Sequence, residues 1–249
     1  MNLLILAAGK GSRIYDEINT HKCLLKINNV SLIEKIVDDA TKTGIFKKIL
    51  IVVGFKKNLI IKKLSKKKNI FLIKNSKFNT TEMSYSLLLG LKKSQDDTIV
   101  CYSDIYFSKK IFQKINKVRL NHKIILPINM KWKETWVLRN KSFKSDCETL
   151  KINKKNILIE IGKKIKNYND VHGQYMGIFY IEKEANKSFQ NIFVEKLKNR
   201  KIHITSFLNS IKNIFDIFCI KTKDYWYEFD DYDDYINYQK NKNKKNKKK

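Results

Sequence analysis

The run Leu3-Leu4-Ile5-Leu6-Ala7-Ala8-Gly9-Lys10-Gly11-Ser12-Arg13 decides how the chain is read. A short apolar strand passes directly into a loop of small residues that ends on an arginine. Gly9 and Gly11 admit backbone conformations closed to residues with a Cβ and expose successive N–H groups to an anion, while Arg13 adds a rigid fork of charged donors. The loop therefore reads as a phosphate grip, with a nucleoside triphosphate as the expected ligand. Two better-known phosphate loops are excluded. A dinucleotide fingerprint needs a third glycine where Ile14 stands, and a P-loop needs Gly-Lys-Ser/Thr after a longer spacer.

Outward from this run, β-rich segments alternate with helical patterns. Asn2–Leu6, Lys48–Val53, Ile70–Lys74, Thr98–Tyr102 and Lys123–Ile128 read as strands. Ser31-Leu32-Ile33-Glu34 is a capping box opening a helix with Leu32, Ile33, Ile36, Val37 and Ala40 on its apolar face, closed by Gly44. Asn58–Lys66, Ser84–Lys93 and Ser108–Asn116 read as further helices. This alternation predicts an α/β fold: a Rossmann-like, mixed but mostly parallel sheet flanked by helices, with ligands at the carboxyl ends of the strands.

The second half reads differently. Thr135–Leu138, Glu148–Ile152 and Ile157–Ile161 read as short strands around an Asn153–Asn156 turn, which suggests a small antiparallel insertion. Gly173–Glu182 is expected as one strand, Glu184–Lys198 and Ser206–Asn213 as helices, Phe215–Lys221 as a strand and Asp231–Gln239 as a closing helix. The expected organisation is one domain over residues 1–239, with a core at 1–130, an insertion and return strand at 131–182 and a C-terminal part at 183–239. Residues 240–249 hold only Lys and Asn and are expected to be a disordered tail.

With 249 residues and 43% apolar content the chain can bury an enzyme-sized core. The net charge of +28 would ordinarily suggest nucleic acid. Here the lysine is spread over every segment and reads as compositional bias, so no dedicated nucleic-acid partner is expected. Cys23, Cys101, Cys147 and Cys219 are isolated, which suggests reduced thiols and no zinc. Leu3–Ala8 is too short for a membrane span and lacks a charged flank before it, so a cytoplasmic protein without membrane insertion is expected. A homodimer is left open.

Several residues downstream complement the loop. Lys22, in His21-Lys22-Cys23-Leu24, is placed to fold back on the same phosphates. Asp104 ends a buried strand, where Mg²⁺ bridging phosphate oxygens would need a carboxylate, although a turn or cap role is the alternative. Asp230, in Trp226-Tyr227-Glu228-Phe229-Asp230, could complete that site or cap the helix after it. Thr81 and Ser84 lie where a polar loop opens a helix, able to meet a ligand or simply to cap. Trp132, Trp136 and Tyr175 offer faces for a cation and Asp146 and Glu148 compensating charge, with packing as the alternative for each aromatic.

Together these elements resemble the small nucleotidyltransferases, which join a nucleoside monophosphate to a phosphorylated acceptor and release pyrophosphate. The family pattern Leu-Ala-Ala-Gly-x-Gly-Ser-Arg, Pro-Lys-x-Leu, a strand-end Asp and a late Trp-x-Glu-Ile-Asp is matched by Leu6–Arg13, His21–Leu24, Asp104 and Trp226–Asp230. His21 replaces the proline. The middle segments look most like the phosphocholine and 2-aminoethylphosphonate cytidylyltransferases, on Asn79–Leu87, Trp132–Trp136, Ser145–Glu148, Ile159–Gly162 and Gly173–Gly177.

The resemblance implies a nucleotide-diphospho-sugar transferase-like fold, CTP as donor and Mg²⁺ as cofactor. The acceptor it implies is a small amine-bearing phosphate or phosphonate. It implies Leu6, Ala7, Ala8, Gly9, Gly11, Ser12, Arg13, Lys22, Thr81 and Ser84 at the nucleotide, with Arg13 and Lys22 catalytic, and Asp104 and Asp230 on the metal. Trp132, Trp136, Asp146, Glu148 and Tyr175 would meet the acceptor. The rival readings are a sugar-1-phosphate nucleotidylyltransferase using UTP or dTTP, a basic nucleic-acid-binding protein, and a catalytically silent regulatory domain on the same fold.

Overall fold

The computed structural model describes residues 1–139, 141–142, 147–196 and 202–246. Strand β1 (Asn2–Ala7) is buried along its whole length and pairs in parallel with β4 (Lys48–Val53) on one side and β6 (Thr98–Tyr102) on the other. Burial on both faces explains why it reads as a continuous apolar run rather than an alternating one. Beyond β4 lies β5 (Ile70–Lys74), also parallel. Beyond β6 lies β12 (Ile178–Ile181), antiparallel to β6 and to β8 (Ile124–Asn129), and β13 (Ile217–Thr222) closes that edge in parallel with β8. The sheet is therefore mixed and mostly parallel.

Alternate residues of β1 feed two cores. Leu4 and Leu6 pack with α4 (Met83–Lys93), α7 (Lys183–Lys196) and α8 (Ile204–Ile211), through Leu87, Leu91, Phe189, Phe193 and Phe207. Leu3, Ile5 and Ala7 pack on the opposite face with α2 (Leu32–Thr43), α3 (Lys57–Leu64) and α5 (Lys110–Val118). Helix α4 lies so close to β1 that a Cβ at Gly90 would sit 2.4 Å from Leu4 Cδ1. Helix α2 carries the expected capping box on Ser31 and Glu34 and the left-handed Gly44 at its end.

Several elements differ from expectation. A short helix, α1 (Ser12–Ile18), follows the glycine loop directly. Small hairpin strands β2 (Lys26–Ile27) and β3 (Val30–Ser31) come next. Thr135–Leu138 is not a strand but part of helix α6 (Trp132–Arg139), because Trp132 and Trp136 share a helical face that packs on Cys147, Ile165 and Val171. The antiparallel pair expected after it is present as β9 (Glu148–Ile152) and β10 (Leu158–Lys164). The expected Gly173–Glu182 strand is broken into β11 (Gln174–Tyr175) and β12 at Gly177, whose φ of +69° turns the chain.

Two further short strands, β7 (Ile105–Phe107) and β14 (Trp226–Glu228), pair antiparallel beside the main sheet. The last helix, α9 (Tyr232–Asn246), carries helical backbone well into the stretch expected to be disordered. It is held by Asn237 donating to the Arg139 carbonyl, Asn241 to the Leu138 carbonyl and Tyr235 to the Lys26 carbonyl. All four cysteines are free and buried. Among the described residues no helix is long and apolar enough to cross a membrane.

Candidate active site

At the carboxyl ends of β1 and β6 lies a cleft of about 640 Å³. Its floor is the glycine loop. Gly11 takes φ +63°, which lets the chain turn into α1 directly over the Lys22 side chain, and a Cβ there would lie 3.1 Å from Lys22 Cβ. No protein oxygen accepts from the N–H groups of Gly9, Lys10, Gly11 or Ser12 among the described residues, so the amides remain available to a ligand. Leu6, Ala8, Ser12 and Arg13 also line the cleft. Ala7 does not, because alternation along β1 turns it into the opposite core.

His21 brings Lys22 back beneath the loop. Its Nδ1 accepts from the Cys23 N–H at 3.1 Å, capping the single turn Lys22–Leu24, and this leaves the imidazole proton on the buried Nε2. Burial pushes the His21 pKa down to about 4, so it is neutral at physiological pH.

The two carboxylates expected from distant sequence meet through the β7–β14 ribbon. Glu228 pairs with Ile105 and the Phe229 N–H donates to the Asp104 carbonyl at 3.1 Å, which sets Asp230 beside Asp104. Trp226 anchors the ribbon by donating Nε1 to the Met176 carbonyl. Lys22 Nζ then lies 2.8 Å from Asp104 Oδ2 and 3.7 Å from Asp230 Oδ1. Burial works against the Lys22 charge, but Asp104 and Asp230 outweigh it and hold its pKa above the usual lysine value. Burial likewise opposes the Asp230 charge, and Lys22, Arg139 and Arg13 outweigh it to keep that carboxyl ionised.

Asp230 is further held by Arg13 at 3.3 Å and by Arg139 at 2.8 Å. Arg139 is almost wholly buried and is clamped by both oxygens of Asp234. Glu228 lines the same wall, and burial, then Asp230 and Asp104, raise its pKa well above the carboxylate range. Among the described residues no three His, Cys, Asp or Glu side chains converge as a metal cage. The donor set nonetheless fits Mg²⁺, which binds through one or two carboxylates and completes its shell with water and phosphate oxygens. Asp104 Oδ1 supports the fit, being buried without a hydrogen-bond partner.

The remaining expected residues divide. Thr81 lines the cleft, its hydroxyl bonded to the Lys77 carbonyl. Ser84 does not: helical phase turns its hydroxyl into the interior, and Ser86 faces the cleft instead, accepting from Asn75 Nδ2 at 3.0 Å. Glu148 and Tyr175 line the far wall, where Glu148 accepts from the Thr205 hydroxyl and the Tyr175 ring meets Tyr102 edge-on. Trp132 and Trp136 are not cleft faces. Both are buried under α6, and Trp132 borders a separate shallow hollow with Lys131 and Tyr168. Asp146 lies outside the described residues. Sequence reasoning missed Arg139 and Asn75, and quoted Ser86, Gln174 and Glu228 within motifs without a role. The scarcity of arginine was the one signal that marked Arg139.

The family model for the MobA-like NTP transferase domain matches residues 3–158, a span that includes the glycine loop, Lys22 and Asp104. The chain belongs to that family. Within it, this NTP transferase is 28% identical over 186 residues to a CTP:phosphoglutamine cytidylyltransferase of Campylobacter jejuni, covering 72% of each chain. Two solved structures share the fold. The CTP:phosphocholine cytidylyltransferase of Streptococcus pneumoniae superposes with a TM-score of 0.74 at 18% identity over 96% of this chain and 97% of its own. A UDP-glucose pyrophosphorylase in complex with UDP-glucose gives 0.73 at 18% identity over 98% of both chains.

Proposed function

We propose that this NTP transferase moves CMP from CTP to a small amine-bearing phosphate or phosphonate and releases pyrophosphate. The observation that carries the reading is Lys22, held beneath the glycine loop and between Asp104 and Asp230. An anion cradle, a buried ammonium and two carboxylates at one point are the parts that transfer of a nucleotidyl group requires. The likeness to a CTP:phosphoglutamine cytidylyltransferase supports CTP as donor and a phosphorylated acceptor. Phosphocholine, 2-aminoethylphosphonate and a phosphorylated amino acid share a phosphorus oxyanion and a cationic nitrogen, and Glu148 supplies negative charge on the far wall.

The acceptor oxyanion is already largely ionised near neutral pH, so its attack on the α-phosphorus needs no strong general base. What the protein contributes is in-line placement and compensation of the charge that develops on the α-phosphate and leaving pyrophosphate. The loop amides and Arg13 hold the β- and γ-phosphates, and Lys22 stabilises the transferring group. Asp104 and Asp230 would hold Mg²⁺, which when bound would supply positive charge to offset that of the phosphate oxygens.

The test is pyrophosphate release from CTP with Mg²⁺ against phosphocholine, 2-aminoethylphosphonate, phosphoethanolamine, phosphoglutamine and glucose 1-phosphate. Turnover with at least one amine-bearing acceptor, abolished by chelation, is expected. Turnover only with glucose 1-phosphate would favour the sugar-nucleotide rival, and release that survives chelation would remove Mg²⁺ from the scheme.

A further inference from the structure

Gln174 and Trp136 form a device at the end of the cleft that the phosphate loop does not reach. We propose that Trp136 locks the side-chain amide of Gln174 with its NH₂ turned into the cleft, so that Gln174 is the donor that reads an oxygen of the acceptor; this rests on the transferase reading above. The deciding contact is Trp136 Nε1 to Gln174 Oε1 at 3.0 Å. An indole nitrogen only donates, so the amide must present its oxygen to Trp136, and the NH₂ is left on the other branch. Gln174 lines the cleft, and its Nε2 has no protein acceptor among the described residues.

The lock is rigid at both ends. Trp136 is 3% exposed, packed with Trp132, Cys147, Ile165 and Val171, and the Arg139 guanidinium lies over its ring at 4.8 Å. Arg139 is itself fixed by Asp234. The Gln174 backbone is registered against Asn129 of β8. An amide held this way loses no rotamer freedom when a ligand arrives, which is what makes a single donor selective.

Its position points to the acceptor rather than to the triphosphate. β11 continues the line of β12, two strands across the sheet from β1, whose end carries the glycine loop, a lateral offset of about 10 Å. Tyr175, the neighbour of Gln174, and Glu148 line the same wall. An NH₂ donor and a carboxylate on one wall suit a small molecule with both an oxyanion and a cationic nitrogen. The oxygen read by Gln174 is either that of the phosphate or phosphonate common to every such acceptor, or the carboxylate of a phosphorylated amino acid; the donor chemistry is the same.

Two variants test it in the full-length enzyme. Trp136→Phe keeps a ring under Arg139 and removes the N–H, and Gln174→Glu keeps an oxygen for Trp136 but replaces the donor with a second oxygen. Trp136→Phe is expected to raise the acceptor KM about tenfold and Gln174→Glu about a hundredfold, with the KM for CTP unchanged in both. An equal penalty for phosphocholine and phosphoglutamine assigns the contact to the phosphate, and a penalty confined to phosphoglutamine assigns it to the carboxylate. Either result supports the lock. An acceptor KM within twofold of wild type, or a rise in the CTP KM instead, overturns it while leaving the transferase intact. Wild-type enzyme that releases no pyrophosphate with any acceptor overturns the transferase reading, and this inference with it. Should Trp136→Phe fail to fold, Gln174→Glu decides alone, since its side chain lines the cleft rather than the core.

Discussion

At the scale of single residues, the proposed transfer rests on Lys22, and His21 caps the turn that carries it. Lys22 is the cation paired with Asp104 among the described residues, and the glycine loop rides on its methylenes. In the proposed transfer, its replacement by alanine would remove the positive charge that offsets the negative charge developing on the phosphates. Turnover is expected to fall by about two to three orders of magnitude, measured as pyrophosphate release on variant protein whose circular dichroism matches wild type. His21 acts on stability. Its folded pKa is depressed to about 4 by burial, so its contribution is complete above the ordinary value of 6.5 and is lost as pH falls toward 4. Protonating it in place would cost roughly 3 kcal/mol. His21→Asn keeps an acceptor for the Cys23 N–H without a titrating ring. Urea unfolding of the two proteins between pH 7 and pH 4 should show the wild type losing that much more stability than the variant. Parallel curves would mean that His21 is not a buried neutral imidazole.

Elements bring together what the residues cannot. The β7–β14 ribbon sets Asp230 beside Asp104, and α9 sets Asp234 against Arg139 at the end of α6. Burial opposes the Arg139 charge, but Asp234, Glu228 and Asp230 outweigh it and raise its pKa further. Arg139→Met would leave two carboxylates short of their partner and loosen α6 from α9. A loss of about 3–5 kcal/mol is expected by urea unfolding, together with reduced turnover because Asp230 loses its tether. A change under about 1 kcal/mol would mean that the buried network carries little stability. This network also marks the limit of what the chain discloses as a string. Strands β4, β5, β6 and β9 and helix α2 were legible because period, caps and turn residues are local. Arg139 was not, since its partners lie 91 and 95 residues away. Helix α6 was misread because four residues of Thr135–Leu138 fit a strand as well as a helix, and only packing on Cys147, Ile165 and Val171 decides.

At the scale of the whole molecule, the loop, Lys22, Asp104 and Asp230 were all recognisable from their sequence context, and the fold brings them to one cleft. The far wall was less legible. Two of its expected aromatics went to packing, and Gln174, which carries no charge or ring, was quoted within its motif without a role. Composition misled at the C-terminus: a Lys/Asn stretch was expected to be structureless, yet Asn241 caps the Leu138 carbonyl from within a continuing helix. The net charge of +28 is likewise spread over background lysine rather than concentrated in the cleft, whose lining sets Glu82, Asp104, Glu148, Glu228 and Asp230 against Lys10, Arg13 and Lys22. What remains is which nucleotide the cleft accepts. The direct measurement is the initial rate of pyrophosphate release from CTP, UTP, dTTP and ATP, each supplied separately with Mg²⁺ and the full set of amine-bearing and sugar phosphates. CTP with an amine-bearing acceptor is expected to exceed every other pair by about a hundredfold or more in kcat/KM. Preference for UTP or dTTP with a sugar 1-phosphate, or no pyrophosphate from any pair, would contradict it.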